Sequence, residues 1–564
     1  MNINPICALS TPSKIITAKT TTMTTKTALK TTTENSSINA LMWFRRDLRI
    51  DDNTALTLLH DLVSQTAQNH QLNPHEQEEV NSSPARLSAI FVVTPEQWLQ
   101  HDMSLVQMDL MLRTLKQLAI RLSTLNIKLQ LIHCDTFEQS VERITEYCLA
   151  NNITHVAANA EYEINERMRD DQIAKQLSAQ GIQFDLHHDQ CIVPPGSVMV
   201  TSKTGENKMY QVFTPFYKRW QSLLDASPVH LYDIEQSADS QTQASDECNE
   251  PSDTLAQIDQ LHQQMLRLFL ERHSSNTNQS QLQACHKAYP AGEWAAQQKL
   301  NDFVKQDIDE YQISREQPAL MATSQLSAYL AIGAISARQC YVTAIDALAR
   351  TDSSSEDILT WVKELAWRDF YRHVIVDRPD IVKHHAYKKE TDNKINWSYD
   401  LNDFKAWCEG MTGVPLVDAA MRCLNQTGFM HNRLRMVTAM FLTKDLLIDW
   451  RWGERYFMQQ LIDGDFASNN GGWQWSASIG TDAAPYFRIM NPFSQGKTHD
   501  KEALFIKTWL PELKDIPAKI LHDESKLRQA LSPQGDFADV NYPQPMVEHK
   551  TARLYAIEQF KSNG

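Results

Sequence analysis

A change of rhythm along the chain constrains its fold more than any other feature. Between 40 and 200, short apolar runs alternate with amphipathic segments. ALMWF (40–44), LSAIFVV (87–93), KLQLIH (128–133), THVAANA (154–160) and IQFDLHH (182–188) read as strands, and the segments near 104–123, 137–150 and 163–179 read as helices. Such alternation predicts a parallel sheet covered by helices. After about 300, long helical patterns take over. The expectation is an α/β N-terminal domain over 40–200 and a larger all-α C-terminal domain over 301–555. Residues 201–300 read as an interdomain linker carrying a low-complexity insertion. Its Ser-, Gln-, Asn- and Asp-rich part, 235–283, has one helical segment near 261–272 and is expected to lie outside the core. Residues 64–84 read as an inserted polar loop. Residues 1–39, Thr- and Lys-rich with Glu34 as their one acidic residue, read as a disordered extension without the apolar core of a secretory signal.

Composition excludes several classes. The 564 residues are 42% hydrophobic, ordinary for a globular chain, and no apolar run is long enough to span a membrane. Nine scattered cysteines without a CxxC spacing argue against a disulfide framework or a structural zinc, so no metal is expected and a reducing cytoplasm is the simple location. A net charge of −15 argues against a nonspecific nucleic-acid coat, while Arg422, Arg433, Arg435, Lys444, Arg451 and Arg455 leave room for a local basic groove. The turn after the first strand, FRRDLRIDDN, has no GxGxxG, which removes the main support for a Rossmann-type dinucleotide site.

Chemistry-bearing residues concentrate in the helical half, which holds eight of the 13 tryptophans between 361 and 475. In WVKELAWRDFYRH (361–373), Trp361, Glu364, Leu365 and Arg368 share one helix face. Read alone, an i, i+4 surface ion pair beside a core tryptophan accounts for that segment better than a polar site does. GFMHNRLRMVTAMFLTKDLLIDW (428–450) reads as helical, with Asn432, Arg435 and Met436 together; base or phosphate contacts and plain core packing fit it equally. In YQISREQPALMATSQLS (311–327), Thr323, Ser324 and Ser327 precede a helix, where hydroxyls suit an anion, although read alone simple capping is the better account. GDFASNNGGWQWSAS (464–478) is polar enough for a loop, yet it holds Trp473 and Trp475. Four of the 16 glycines, Gly464, Gly471, Gly472 and Gly480, lie between 461 and 480, as needed for positive φ or for close approach. Asp463 and Asp465 suit hydrogen bonding to a polar heterocycle better than metal binding, because no His or Cys accompanies them at ligand spacing.

WxxELxWRDFYRH, TGxPLVDAAMR, MHNRLRM, DLLIDWRxGERYF and DGDxAxNNGGWQWxASxGTDAAPYFRI occur in this order. With them the chain closely resembles the class I cyclobutane pyrimidine dimer DNA photolyases, particularly the bacterial folate-antenna type, from about 40 to 560. The resemblance implies a carbon–carbon lyase that repairs UV-damaged DNA by electron transfer from photoexcited reduced FAD to a flipped-out dimer, with the electron returning after the ring splits. It implies FAD contacts from Tyr311, Thr323, Ser324, Gln325, Leu326, Ser327, Trp361, Arg435, Asp463, Gly464 and Asp465, with Asn469 facing the flavin and Glu364 as the catalytic carboxyl. Trp407, Trp450 and Trp473 match an electron-transfer chain toward oxidised flavin, and the remaining motif-free tryptophans, Trp397 among them, default to core packing. Arg315, Glu364, Trp367, Arg368, Tyr371, Asn432, Arg433, Met436, Trp475, Arg488 and Gln495 match the lesion pocket and DNA surface. His101, Asn165, Glu166 and Lys383 match contacts to a 5,10-methenyltetrahydrofolate antenna, although a deazaflavin occupies this domain in some relatives. The family's GTSRLS is ATSQLS here, so Gln325 stands for an arginine. A cytoplasmic monomer is expected. Among rivals, a cryptochrome-type photoreceptor would often replace Asn469, a photolyase for the 6-4 photoproduct would need paired histidines in place of Asn432 and Met436, and an ordinary FAD redox enzyme would carry a glycine fingerprint.

Overall fold

The computed structural model describes residues 38–72, 85–201, 205–234, 252–272, 279–350 and 355–561. The five apolar runs form one sheet. β1 (Asn39–Phe44) lies at its centre between β2 (Arg86–Val93) and β4 (His155–Asn159), with β3 (Lys128–His133) and β5 (Gln183–His187) outside. Every pair is parallel. Burial follows position: β1 is covered on both faces from Ala40 to Phe44, whereas β3 at the edge alternates buried and exposed residues. Helices α1 (Thr54–Leu72), α2 (Leu105–Thr124), α3 (Phe137–Ala150) and α4 (Ile164–Ala179) supply the cover. Ser104 and Thr136 start α2 and α3 by accepting the amides of Gln107 and Gln139. The expected loop at 64–84 is corrected in its first part, because α1 continues to Leu72; 73–84 lie outside the described residues, as do 1–37 of the expected extension.

The linker is more structured than its composition suggests. It contains α5 (Phe213–Ala226), α6 (Ser252–Arg272), α7 (Gln279–Ala288) and α8 (Glu293–Gln306). α6 packs on α2 through Ile258, Leu261, Met265 and Phe269, all buried in the main core, so the expectation that 235–283 stands outside it fails for this helix. Four apolar residues at helical spacing suffice for docking, and the polar residues between them dominate the composition. His262 and His286 bring α6 and α7 to the buried Asp109 of α2, at 2.9 and 3.0 Å. Residues 235–251 and 273–278 lie outside the described residues.

The C-terminal part is helical, built on α9 (Ser355–Asp377), α10 (Asn432–Met440), α11 (Trp450–Gln460), α12 (Phe466–Ser476) and α13 (His549–Lys561). It is locked to the α/β part by buried charge. Arg338 reaches Asp52 at 3.0 Å and Asp189 at 2.8 Å, and Asp189 also takes Arg49 at 2.6 Å. Asp369 of α9, fully buried, accepts the amides of Ile192 and Val193 and the indole N–H of Trp220, each at 3.0 Å. Charges this deep are tolerated because each is paired and hydrogen-bonded.

Two helical expectations need correction. The segment 428–450 is not one helix: α10 passes into a π-helical turn, Phe441–Asp445, and Leu447 takes a left-handed φ of 51° before α11 begins. The polar segment 464–478 is helix rather than loop. Asp465 caps α12 by accepting the Ser468 amide, and Gly471 and Gly472 sit inside the helix without positive φ. Close approach explains Gly471 but not Gly472. A Cβ on Gly471 would stand 2.2 Å from the Tyr371 ring, and one on Gly472 would meet open space.

Candidate functional site

Two cavities flank the segment Asp463–Gly464–Asp465. The larger, of about 510 Å³, lies within the helical part. α9 contributes Trp361, Glu364, Leu365, Trp367, Arg368 and Tyr371, so the face read from sequence does converge on one space. α10 contributes Asn432, Arg435 and Met436, and the 323–327 loop contributes Thr323, Ser324, Gln325, Leu326 and Ser327. Tyr311, Arg315, Asp463, Asp465, Asn469, Trp473 and Trp475 complete the wall.

Its charges are largely paired. Arg435 donates to both oxygens of Asp463 at 3.0 and 2.8 Å and to the Met430 carbonyl at 2.7 Å. Arg372 holds Asp465 at 2.5 Å; burial alone would raise that carboxyl, but Arg372 and Arg368 pull it well below the usual range. Arg315 pairs with Glu364 at 2.7 Å and lies over the Tyr311 ring. Arg368 lines the cavity but points its guanidinium at the carbonyls of Gln190 and Leu330, and burial with Arg372 nearby pushes its pKa down to about 10. Asn469 donates to the Glu454 carbonyl at 3.0 Å. One face of Trp367 is already stacked on Phe213, with centroids 3.6 Å apart.

Some expected residues fall elsewhere. Gly464 does not line this cavity: Gln107 donates to its carbonyl at 2.6 Å and turns it toward the other one. Arg433 is outside the lining and pairs with Glu316, Arg488 is exposed, and Gln495 is partly buried with an unpartnered Oε1. Trp473 lines the wall, and Gly453 admits it, since a Cβ there would lie 2.1 Å from the indole. Trp407 lies 6.0 Å from Trp473 between ring centroids but is wholly buried. Trp450 is buried and donates to Asp392 at 3.2 Å, and the partly exposed Trp397 donates to the same oxygen at 3.0 Å. Trp397 packs against the C-terminal core beside Phe560, as expected, and the carboxylate it shares with Trp450, 53 positions away, is a contact no local sequence shows.

The second cavity, of about 270 Å³, opens between the two parts at the carboxyl ends of β1, β2 and β4, where strand order reverses. His101, Asn165 and Glu166 line it, whereas Lys383 is exposed at the end of a short 3₁₀ turn and does not. Arg45, Arg46 and Arg169 meet Glu161, Glu163 and Glu166 here. Burial would raise Glu161, but the three arginines hold it well below the carboxylate range. Glu166 goes the other way: burial and its carboxylate neighbours push it up to about 8, and its Oε2 has no partner. Burial lowers His101 to about 4.

The donor sets fit the groups in question. Hydroxyls, an amide, two carboxylates and aromatic walls in the larger cavity suit a flavin dinucleotide. A neutral carboxyl with an orphan oxygen, beside an amide and a neutral imidazole, suits a flat heterocycle such as a pterin in the smaller one.

An α/β sheet joined to a helical bundle that encloses a tryptophan-walled cavity defines a two-cavity cofactor protein. Residues 40–233 match the DNA photolyase family model, and 361–562 match that of the FAD binding domain of DNA photolyase. The chain is 41% identical over 524 residues to the deoxyribodipyrimidine photo-lyase of Escherichia coli, covering 93% of this chain and 98% of that one. A class III photolyase from Agrobacterium tumefaciens superposes with a TM-score of 0.72 at 28% identity, covering 95% and 99% of the two chains. An archaeal photolyase from Sulfolobus tokodaii, solved with two FAD molecules, gives 0.68 at 29% identity, covering 93% and 100%. The chain belongs to the DNA photolyase family.

Proposed function

We propose that this chain is a deoxyribodipyrimidine photo-lyase that uses light and FAD to split cyclobutane pyrimidine dimers in DNA. The observation that carries the reading is the larger cavity, which brings a hydroxyl-rich cradle and a carboxylate edge into one space with a tryptophan-lined wall. FAD, when bound and reduced, supplies a photoexcited electron to the dimer and takes it back after the two cyclobutane C–C bonds have broken.

The chain's residues do the rest. Thr323, Ser324, Gln325, Leu326 and Ser327 would hold the phosphates. Tyr311 and Trp361 border the cofactor, while Arg435 with Asp463, Asp465 and Asn469 orient its polar edge. Trp367 and Trp475 offer aromatic faces for the flipped pyrimidines, with Tyr371, Asn432 and Met436 beside them. Glu364, kept in place by Arg315, would accept a pyrimidine N–H and so fix the flipped dimer for reaction. Arg433, Arg488 and Gln495, outside the wall, would contact the DNA backbone. Trp473 would relay electrons toward oxidised cofactor, with Trp450 and either Trp407 or Trp397 behind it.

The smaller cavity would take 5,10-methenyltetrahydrofolate as antenna, its pterin against Glu166, Asn165 and His101. Its volume, about half that of the larger one, favours a pterin over a second FAD like that of the archaeal relative. The chain would work as a monomer in the cytoplasm; no helix among the described residues is long and apolar enough to cross a membrane. Illumination of a thymine-dimer oligonucleotide tests the reading: intact thymines should return in blue light only, and binding without light-dependent repair would mark a photoreceptor.

A further inference from the structure

The hydroxyl cradle of the larger cavity lacks an obvious counter-charge. Thr323, Ser324 and Ser327 supply neutral donors, and a dinucleotide's diphosphate carries two negative charges. The three arginines on the wall are committed: Arg315 to Glu364, Arg435 to both oxygens of Asp463, and Arg368 to the carbonyls of Gln190 and Leu330.

Lys299 of α8 is not committed in that way. Its ammonium donates to Oε1 of Gln325 at 3.0 Å and lies over the Tyr289 ring at 5.5 Å. Among the described residues no carboxylate pairs with it; Asp302, one turn along α8, is its acidic influence. Burial lowers its pKa, as expected for a cation without a close anion. Gln325 is itself unusual. It holds a left-handed φ of 50°, which bends the loop around the cavity, and its amide nitrogen has a weak 3.9 Å contact to the Met321 sulfur. Because Oε1 faces the ammonium, that amide N–H₂ remains available as a donor beside Ser324.

We propose that Lys299, acting together with Gln325, is the cation that clamps the diphosphate of the dinucleotide cofactor. The positive charge at this edge of the cradle comes from α8 and reaches the loop through the glutamine side chain. The proposal rests on the reading of the larger cavity as the FAD site. It makes Lys299 a binding residue that local sequence could not reveal, because it lies 26 positions from its partner.

The test uses full-length protein freed of flavin and titrated with FAD and with riboflavin, which has no phosphate. Lys299→Met should weaken FAD about tenfold and leave riboflavin within twofold, since one charge-assisted contact to phosphate is lost. Lys299→Arg should bind FAD nearly as wild type, and Gln325→Arg added to Lys299→Met should restore most of the affinity by returning a cation to the loop. Equal FAD affinity in Lys299→Met and wild type would overturn the proposal, as would equal losses for FAD and riboflavin. A loss confined to dimer-containing DNA would overturn it too, and would place Lys299 on the nucleic-acid surface. If wild type itself takes up no FAD, the reading of the cavity fails, a result distinct from these.

Discussion

The two cavities lie back to back across Asp463–Gly464–Asp465 and solve opposite electrostatic problems. In the larger one, Asp463 and Asp465 each have an arginine at hydrogen-bond distance, so a cofactor would meet charges that are already balanced. In the smaller one, three glutamates crowd three arginines, and Glu166 is left with an orphan oxygen and a raised pKa. The difference teaches that one site is completed by the protein alone, whereas the other is completed by what enters it. A preorganised site spends little on reorganisation when charge moves. An unfinished polar site gains more from its ligand, because an unsatisfied buried group is costly.

The comparison breaks most visibly if its best-balanced pair is removed. Asp463→Ala leaves Arg435 without its anion and should cost about 3–5 kcal/mol, with loss of flavin absorbance from the purified protein. Unchanged melting and full flavin content would show that the pair is ornamental. Glu364→Ala should lower the quantum yield of repair severalfold while the Kd for dimer-containing DNA shifts by no more than about threefold; full retention of repair would remove Glu364 from the chemistry.

Two glycines sharpen the packing side. Gly453→Ala should destabilise by about 1–3 kcal/mol, because its Cβ would strike Trp473. Gly472→Ala meets open space, so the helix should gain about 0.5–1 kcal/mol while flavin affinity falls, since that space is the cavity. Thermal melts with and without flavin separate the two outcomes.

A further test concerns the unfinished site. Glu166 has a folded pKa near 8, above its unfolded value, so the folded state binds the extra proton between about pH 4.5 and 8. Stability should therefore fall as pH rises through that window, and Glu166→Gln should flatten the slope. An identical slope in the variant would show that Glu166 is ionised at neutral pH. Added folate should also flatten the wild-type slope if it completes the site.

Periodicity and motif order determined much of this protein from sequence alone. Five strands, the helices between them and the convergence of Trp361, Glu364, Leu365 and Arg368 follow from the rule that side chains at fixed spacing share a face. The same rule places Asn432, Arg435 and Met436 together. It is local, and so sequence carries it. Tertiary structure alone decided whatever depends on residues far apart in the chain. α6 belongs to the core because α2 offers it a surface. Most of the 464–478 segment is helical despite its polar composition, because Asp465 caps Phe466–Ser476 and Gly471 lets that helix close against Tyr371 of a distant helix. Gly464 faces the second cavity, where Gln107 holds its carbonyl, and Arg368 turns its guanidinium to the carbonyls of Gln190 and Leu330, which come from distant parts of the chain. Pairing with arginines sets Glu161 apart from Glu166, although both are buried glutamates on the same short segment. Pairwise distance and dielectric surroundings are properties of the packed chain, and no window of sequence contains them.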